Sequence, residues 1–574
     1  MRNARLLLAW IACTGLHLQT TAATIDVSVD LSADRHPLKP EIFGVSGSPD
    51  LGRVAYPLVR WGGNSTTRYN WQADVHNTAA DWFYMNIPDG NGTPSSSSVE
   101  GLLASTLAAG SQPLLTLSTI GWTPKPVQQK RWAFSVAKYG PQLQTECSYF
   151  GASPPPWCSA DAGNGACNPS QNQSGFCSAA GLIVGNDPLD TSDPGTPQLQ
   201  GAWMAHLQQR FGTAANGGVR YYALDNEPML WNSTHRDVHP QPLSYDEIWQ
   251  RTVAYATAIK QQDPAARVFG PVTWGYCDLF GSAADNCIDG DDRAAHGGVP
   301  FVQWYLQQVC AYQSQHGIRL VDFLDLHYYP QGAGVVDFSD PPGGSETAAI
   351  SARRLRSLKE LYDPDWDSES WLADLGNSAP WHYSRPQLIR RVRAWIDASC
   401  PGTGLAITEY NWGADNGASS ALAQAEALAI FAREGVDLAA RWVAPVQGSL
   451  VERAFRMYLD YDALGGKVAG DSVRAVSADV DNLGAYAVHQ PGSRVMVLLF
   501  NKATTATTAA INLGRAVSGS WKLYQFSASS DLGLAGSGTI NGSSISVAGL
   551  PPRSASLLVL PDSDSIFVDG FDQP

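Results

Sequence analysis

Residues 219–228 read VRYYALDNEP: an apolar run that ends in Asp225-Asn226-Glu227 and stops at Pro228, with Trp231 just beyond. A core strand that finishes on three polar groups is costly unless each group is paired or used. The same form recurs at 405–413, LAITEYNWG, where Glu409 ends an apolar run and an aromatic follows it. If both runs are parallel strands of one barrel, both carboxylates stand at the C-terminal ends of strands, the face on which barrel enzymes carry their active residues.

Working outward, six further apolar runs alternate with amphipathic stretches: EIFGVS (41–46), LVRWGG (58–63), PLLTLSTIGW (113–122), RVFGPVTW (267–274), VDFLDLHYYP (321–330) and AARWVAP (439–445). Helical periodicity is expected over 201–211, 245–262, 301–315, 385–399 and 420–434. Eight strand–helix repeats predict a closed (β/α)₈ barrel, an α/β TIM barrel spanning 36–445. An open doubly wound sheet usually carries a glycine-rich phosphate turn after its first strand, and GVSGSPD (44–50) is a poor match to one. After about residue 450 short alternating strands punctuated by Gly, Ser and Asn predict a smaller all-β sandwich. TIDVSVDLSA (24–33) has the same texture, so that domain is expected to comprise 24–35 plus 446–562, with 563–574 as a tail.

The 574 residues carry 38 Lys+Arg against 53 Asp+Glu, a formal charge of −15. That argues against nucleic acid and anionic membrane surfaces as partners. Charged residues are sparse at 16%, and 19 tryptophans suit a neutral, partly apolar ligand. MRNARLLLAWIACTGLHLQTTAA (1–23) reads as a secretory signal, and no later run is long enough to span a bilayer. Eight of the nine cysteines remain after its removal, an even number that predicts disulfides in an exported, monomeric protein. Their spacing lacks any Cys-x-x-Cys zinc pattern.

Two carboxylates facing each other across a barrel mouth are the equipment for cleaving a glycosidic bond. Either is also readable as a plain salt-bridge partner, but two, equally placed and each beside an aromatic, favour chemistry. Asn226 reaches the same site only if the strand bulges or twists, since alternation sends neighbours to opposite faces; it then suits a hydrogen bond to a sugar 2-hydroxyl. Arg60, in VRWGGN with Asn64, needs an anion, and pairing with Glu409 keeps that carboxylate ionised as a nucleophile requires. Tyr328 or Tyr329 donates to it. Glu227 is expected to be held protonated by apolar neighbours and by the charge of Glu409. His327 reads equally as a site residue or a satisfied core histidine, whereas Asp225 and Asp325 read as anchors. Among Trp71, Trp122, Trp231, Trp274, Trp412 and Trp442, at least half are expected to line a cleft, because flat rings match the C–H faces of pyranoses. A long aromatic cleft implies a polymer and internal cleavage.

VRWGGNSTTRYNWQADVHNTAADWFYMN, YYALDNEPMLWNSTHRDVHP, DLHYYPQ, ITEYNWGADN and AFRMYLDYDALGGKV resemble glycoside hydrolase family 44 over roughly 36–470. The resemblance implies a retaining endo-β-1,4-glucanase or xyloglucanase that needs no cofactor, with Glu227 as acid/base and Glu409 as nucleophile. It also implies a possible structural calcium; Asp161, Asp187 and Asp190 offer hard oxygen ligands, though a turn-forming role reads equally well. The cysteine-rich segment 147–177 departs from the family. The rival readings are a β-xylanase or β-mannanase on the same scaffold, or a polysaccharide-binding protein without activity.

Overall fold

The computed structural model describes residues 23–90, 97–127, 130–338 and 346–562. The expected signal through residue 22 and the tail 563–574 lie outside the described residues. Eight parallel strands close one barrel: β1 (Gly44–Ser46), β2 (Leu58–Trp61), β3 (Gln112–Leu117), β4 (Tyr221–Leu224), β5 (Arg267–Thr273), β6 (Phe323–Tyr328), β7 (Gly404–Tyr410) and β8 (Leu438–Arg441). Closure is made by β8 on β1, with Ala440 opposite Gly44. Each strand coincides with one of the eight apolar runs, β3, β7 and β8 starting one residue ahead of theirs. Alternation sorts the side chains. Leu58, Leu114, Tyr221, Ala223, Phe269, Ala406 and Leu438 fill the barrel interior, while Leu115, Tyr222, Leu224, Leu324, Leu326 and Ile407 face the helices. Strands buried on both faces read as continuous apolar runs, which is why they were legible.

The outer helices begin where the chain supplies caps. Thr196 accepts from Leu199 N ahead of Pro197–Phe211, and Ser244 accepts from Glu247 N ahead of Tyr245–Gln262. Phe301–His316, Leu388–Ser399 and Ala418–Arg433 complete the expected set. Cys310 and Cys400 join two of these helices, closing a loop of sequence separation 90. Cys147–Cys158, Cys167–Cys177 and Cys277–Cys287 are local staples, so all eight cysteines among the described residues are paired, as their even number led us to expect.

The β-rich domain is one hydrogen-bonded sheet folded over on itself. The long strand Thr507–Ser527 pairs with Ala23–Asp30 along its first half and with Ser554–Pro561 along its second, passing from one layer to the other. Ala23–Asp30 also pairs with Asp471–Ser477. Residues 446–470, read as part of the all-β texture, instead hold the helix Leu450–Leu459, whose Val451, Phe455, Tyr458 and Leu459 are buried. Their helical spacing is in the sequence; the glycine-rich run that follows masks it. Helix Ala418–Arg433 seats the β-rich domain on the barrel: its Glu426 accepts from Lys502 Nζ at 3.0 Å and from Tyr486 OH at 3.1 Å.

Candidate active site

β4 ends at Leu224, and the chain then takes left-handed conformations at Asp225 (φ 72°) and Glu227 (φ 48°). Such φ values are strained for side chains other than glycine and persist where the surroundings over-determine them. Here the buried Asp225 carboxylate supplies that determination. It accepts from Thr119 N at 2.5 Å, from Thr119 Oγ1 at 3.0 Å and from Asn226 N at 2.9 Å. The two left-handed residues bring Asn226 and Glu227 to the barrel mouth together, which regular alternation forbids.

Arg60 extends from β2 into the barrel, fully buried. Its Nη1 donates to Glu409 Oε1 at 2.7 Å and its Nη2 to Asn226 Oδ1 at 2.7 Å. Gly63 N donates to the same Oδ1 at 3.0 Å, so the Asn226 amide is oriented from two sides. The paired glycines after Trp61 make room for this: a Cβ on Gly62 would lie 2.3 Å from the Arg60 guanidinium carbon, and one on Gly63 2.4 Å from the ring of Trp442.

β7 carries a register shift between Ile407 and Tyr410, and the β6–β7 pairing shifts at His327. This irregularity lets adjacent residues Thr408 and Glu409 both serve the site. Tyr329 OH donates to Glu409 Oε2 at 2.8 Å. His327 Nδ1 lies 2.8 Å from Glu227 Oε1 and 3.6 Å from Glu409 Oε2. Its Nε2 lies 3.2 Å from Thr408 Oγ1, which donates to Asp325 Oδ2 at 2.9 Å. Thr408 hydroxyl hydrogen is thereby committed to Asp325. Burial pushes the Asp325 carboxyl up to about 6.

The two glutamates are pushed in opposite directions. Burial raises Glu227, and the charge of Glu409 raises it further, against a lowering pull from His327. Burial also opposes ionisation of Glu409, but His327 and Arg60, with the hydrogen bonds from Arg60 and Tyr329, outweigh it and hold Glu409 below the ordinary glutamate value. Oxygen atoms of the two carboxyls lie within 4.8 Å of each other. One protonated and one ionised carboxyl at this separation are equipped for acid-assisted nucleophilic displacement at an acetal carbon.

His327→Asn tests this balance. Its removal deprives both glutamates of a neighbour that lowers them, so both become weaker acids. The acid limb, set by ionisation of Glu409, and the alkaline limb, set by the proton on Glu227, are both expected to move to higher pH. The measurement is kcat/KM against pH; a bell displaced to lower pH contradicts the assignment.

Several expected contacts do not form. Tyr328 points out of the barrel, since alternation places Asp325 and His327 inside and Leu326 and Tyr328 outside; its hydroxyl donates to the buried Glu360 at 2.6 Å. Of the two tyrosines, Tyr329 serves Glu409. Trp71 stacks on His206 with ring centroids 5.5 Å apart. Trp231 is fully buried beneath Arg251 and against His239. Trp412 is buried with its Nε1 donating to Ser357 Oγ at 3.2 Å. These three rings are buried among protein side chains and do not line an open cleft in this structure. Trp122, Trp274 and Trp442 stay partly exposed at strand ends, and Asn64 is half-buried beside Gly63. Trp442, Asn411, Asp415 and Arg441 line a cavity of about 330 Å³.

The three aspartates offered for calcium do not fit an ion. Asp190 holds the Lys138 ammonium at 2.6 and 2.8 Å and accepts from Tyr139 OH. Asp161 accepts from Trp132 Nε1 and Ser135 Oγ, and Asp187 caps a turn through Leu189 N. Among the described residues the group of three donors close enough for a metal is Glu227, His327 and Glu409 itself. Sequence reasoning missed Thr408, Gly62 and Gly63. The double glycine beside a buried arginine was the available signal for the last two.

The sequence profile of glycoside hydrolase family 44 matches residues 75–332. A bifunctional glucanase-xylanase from a metagenome library, CelM2, is 34% identical and superposes with a TM-score of 0.84, covering 94% of this chain and all of that one. A family 44 xyloglucanase from Paenibacillus polymyxa shares the fold at 24% identity and a TM-score of 0.72, over 94% of this chain and 99% of that one. Beta-mannanase/endoglucanase A of Caldicellulosiruptor saccharolyticus is 28% identical over 508 residues, 84% of this chain; the chain spans only 34% of that protein's length. With the barrel, the paired glutamates and these likenesses together, the chain belongs to glycoside hydrolase family 44.

Proposed function

We propose that the protein is an exported, monomeric, retaining endo-β-1,4-glucanase acting on soluble cellulose derivatives, xyloglucan and mixed-linkage glucan. The observation that carries the reading is the separation of the two carboxyls, within 4.8 Å at their nearest oxygens. Retaining enzymes place these groups about 5–5.5 Å apart, and inverting ones about 6.5–9.5 Å apart to admit a water.

Glu409 attacks the anomeric carbon as the Glu227 proton passes to the glycosidic oxygen. The bond from that carbon to the leaving sugar breaks, and an ester to Glu409 forms. Glu227, now ionised, takes a proton from water, whose oxygen displaces Glu409 and restores both groups. Arg60 and Tyr329 hold Glu409 in line for both displacements. With Asn226 Oδ1 taken by Arg60 and Gly63, its Nδ2 is the donor offered to the sugar 2-hydroxyl. The barrel 36–445 carries this chemistry, and the β-rich domain, 24–35 plus 446–562, buttresses it. Four disulfides fit an oxidising compartment, and among the described residues no helix is long and apolar enough to cross a membrane.

A purely carbohydrate-binding protein has no need of two facing glutamates shifted in opposite directions. Xylan and mannan remain the rival substrates, in line with the mixed activities in the names of CelM2 and the Caldicellulosiruptor protein. Reducing-sugar release from carboxymethylcellulose, xyloglucan, xylan and mannan separates them: the glucans are expected to lead, and a leading xylan or mannan rate overturns the substrate reading. Viscosity of carboxymethylcellulose is expected to fall well before reducing ends accumulate. Proportional change from the first minute means attack from chain ends.

A further inference from the structure

The cysteine-rich segment 147–177 builds a surface that the site above does not use. Glu146 is fully buried at its base. It accepts from Trp82 Nε1 at 2.8 Å, from Lys130 Nζ at 2.7 Å and from Ser159 N at 2.8 Å. Cys147 and Cys158 are bonded to each other just beyond it. On this base stands a train of rings in edge-to-face contact. Trp82 and Tyr149 have centroids 4.9 Å apart, Tyr149 and Phe150 5.3 Å, and Phe150 and Trp157 5.3 Å, with interplanar angles of 75°, 86° and 85°. Lys130 Nζ lies 4.3 Å from the Trp157 centroid. Yet Tyr149 and Trp157 are each 55% exposed.

Both rings are held by neighbouring rings, Trp157 also by Lys130 over one of its faces, yet more than half of each residue stays open to solvent. Exposed aromatic surface gathered into one held cluster is a mark of an interaction site. The patch belongs to the active face. Trp82 lies in the loop after β2 and the stapled segment in the loop after β3. Arg236, in the loop that follows Glu227, ties down the chain around the second staple by donating to Ile183 O at 2.9 Å and to Gly165 O at 2.5 Å.

We propose that Tyr149 and Trp157 form a polysaccharide-holding platform outside the catalytic cleft, which grips a neutral β-linked glucan strand through the apolar faces of its sugar rings. This rests on the glucan reading above. The chemistry selects that occupant: flat rings match pyranose C–H faces, and a chain of net charge −15 disfavours an anionic one. Rings pinned by their neighbours lose little freedom on binding, so contact is not offset by ordering.

The test is affinity electrophoresis through gels containing xyloglucan or hydroxyethylcellulose, with hydrolysis of a short aryl cello-oligosaccharide measured in parallel. The Tyr149→Ala/Trp157→Ala double variant is expected to hold the polymer about fivefold or more weakly, the loss typical of truncated aromatic anchors, with kcat/KM on the aryl substrate unchanged. Tyr149→Phe/Trp157→Phe keeps both rings and is expected to keep retention, which separates stacking from damage to the fold. Unchanged retention in the alanine variant overturns the proposal, as does loss in the phenylalanine variant equal to that in the alanine one. If the unmutated enzyme cleaves no β-glucan, the glucan reading itself fails; if it cleaves them and the alanine variant is retained normally, the platform alone fails. Binding to anionic vesicles that is lost in the alanine variant, with no glucan retention, assigns the patch to a membrane and overturns it too.

Discussion

Glu409→Ala is expected to lower hydrolysis of a soluble β-1,4-glucan by between about 10⁴- and 10⁶-fold, the range seen when a nucleophile is removed from a unit that acts together. Glu409 has no substitute at its position. Arg60, Tyr329 and His327 converge on its carboxylate, and Glu227 is set by burial to keep its proton. Truncation also opens a space on the face from which Glu409 attacks. A small anion such as azide can enter there and displace the leaving group of an activated β-glycoside. Rate is then expected to return, and the product is the α-glycosyl azide. Recovery of the β-glycosyl azide from this variant means that the two glutamates have been assigned the wrong way round.

The second large effect falls on the acid. Glu227→Gln keeps the shape of the side chain and removes its proton, so polymer hydrolysis is expected to drop by about 10²- to 10⁴-fold. The loss depends on the leaving group. A sugar hydroxyl departs poorly without a proton, whereas a dinitrophenolate departs unaided. Formation of the glycosyl-enzyme from a dinitrophenyl β-glycoside is therefore expected to proceed in the variant at close to its normal rate, as a burst followed by slow turnover. In Glu227→Ala, which opens a space on the opposite face, azide accelerates the second step from that side, and the product is the β-glycosyl azide. Equal loss on polymer and aryl substrate shows that Glu227 does not supply the proton.

The barrel was legible because parallel strands buried on both faces leave uninterrupted apolar runs, and polar residues at their ends stand out. The parity of β6 was in the sequence but went unused, leaving Tyr328 and Tyr329 as alternatives: in DLHYY the alternation from Asp325 selects His327 and Tyr329 and turns Tyr328 away. What could not be read was packing between residues far apart in the chain. Trp412 is claimed by Ser357, Trp71 by His206, and Asp190 by Lys138. Each of these partners lies more than 50 residues away, and no local pattern marks it. The irregularity that puts both Thr408 and Glu409 into the site is invisible for a related reason. It depends on the register of β6 and β8 against β7, whereas the sequence of β7 alone reads as a regular strand.

The central claim is that Glu409 attacks carbon and Glu227 handles the proton, in two displacements at one centre. The anomeric configuration of the first product released by the unmutated enzyme tests it most directly. Proton NMR during the first minutes of hydrolysis of a β-1,4-gluco-oligosaccharide is predicted to show the β-anomer appearing first, with the α-anomer growing in only at the rate of mutarotation. An α-anomer formed first means single-displacement inversion and contradicts the account.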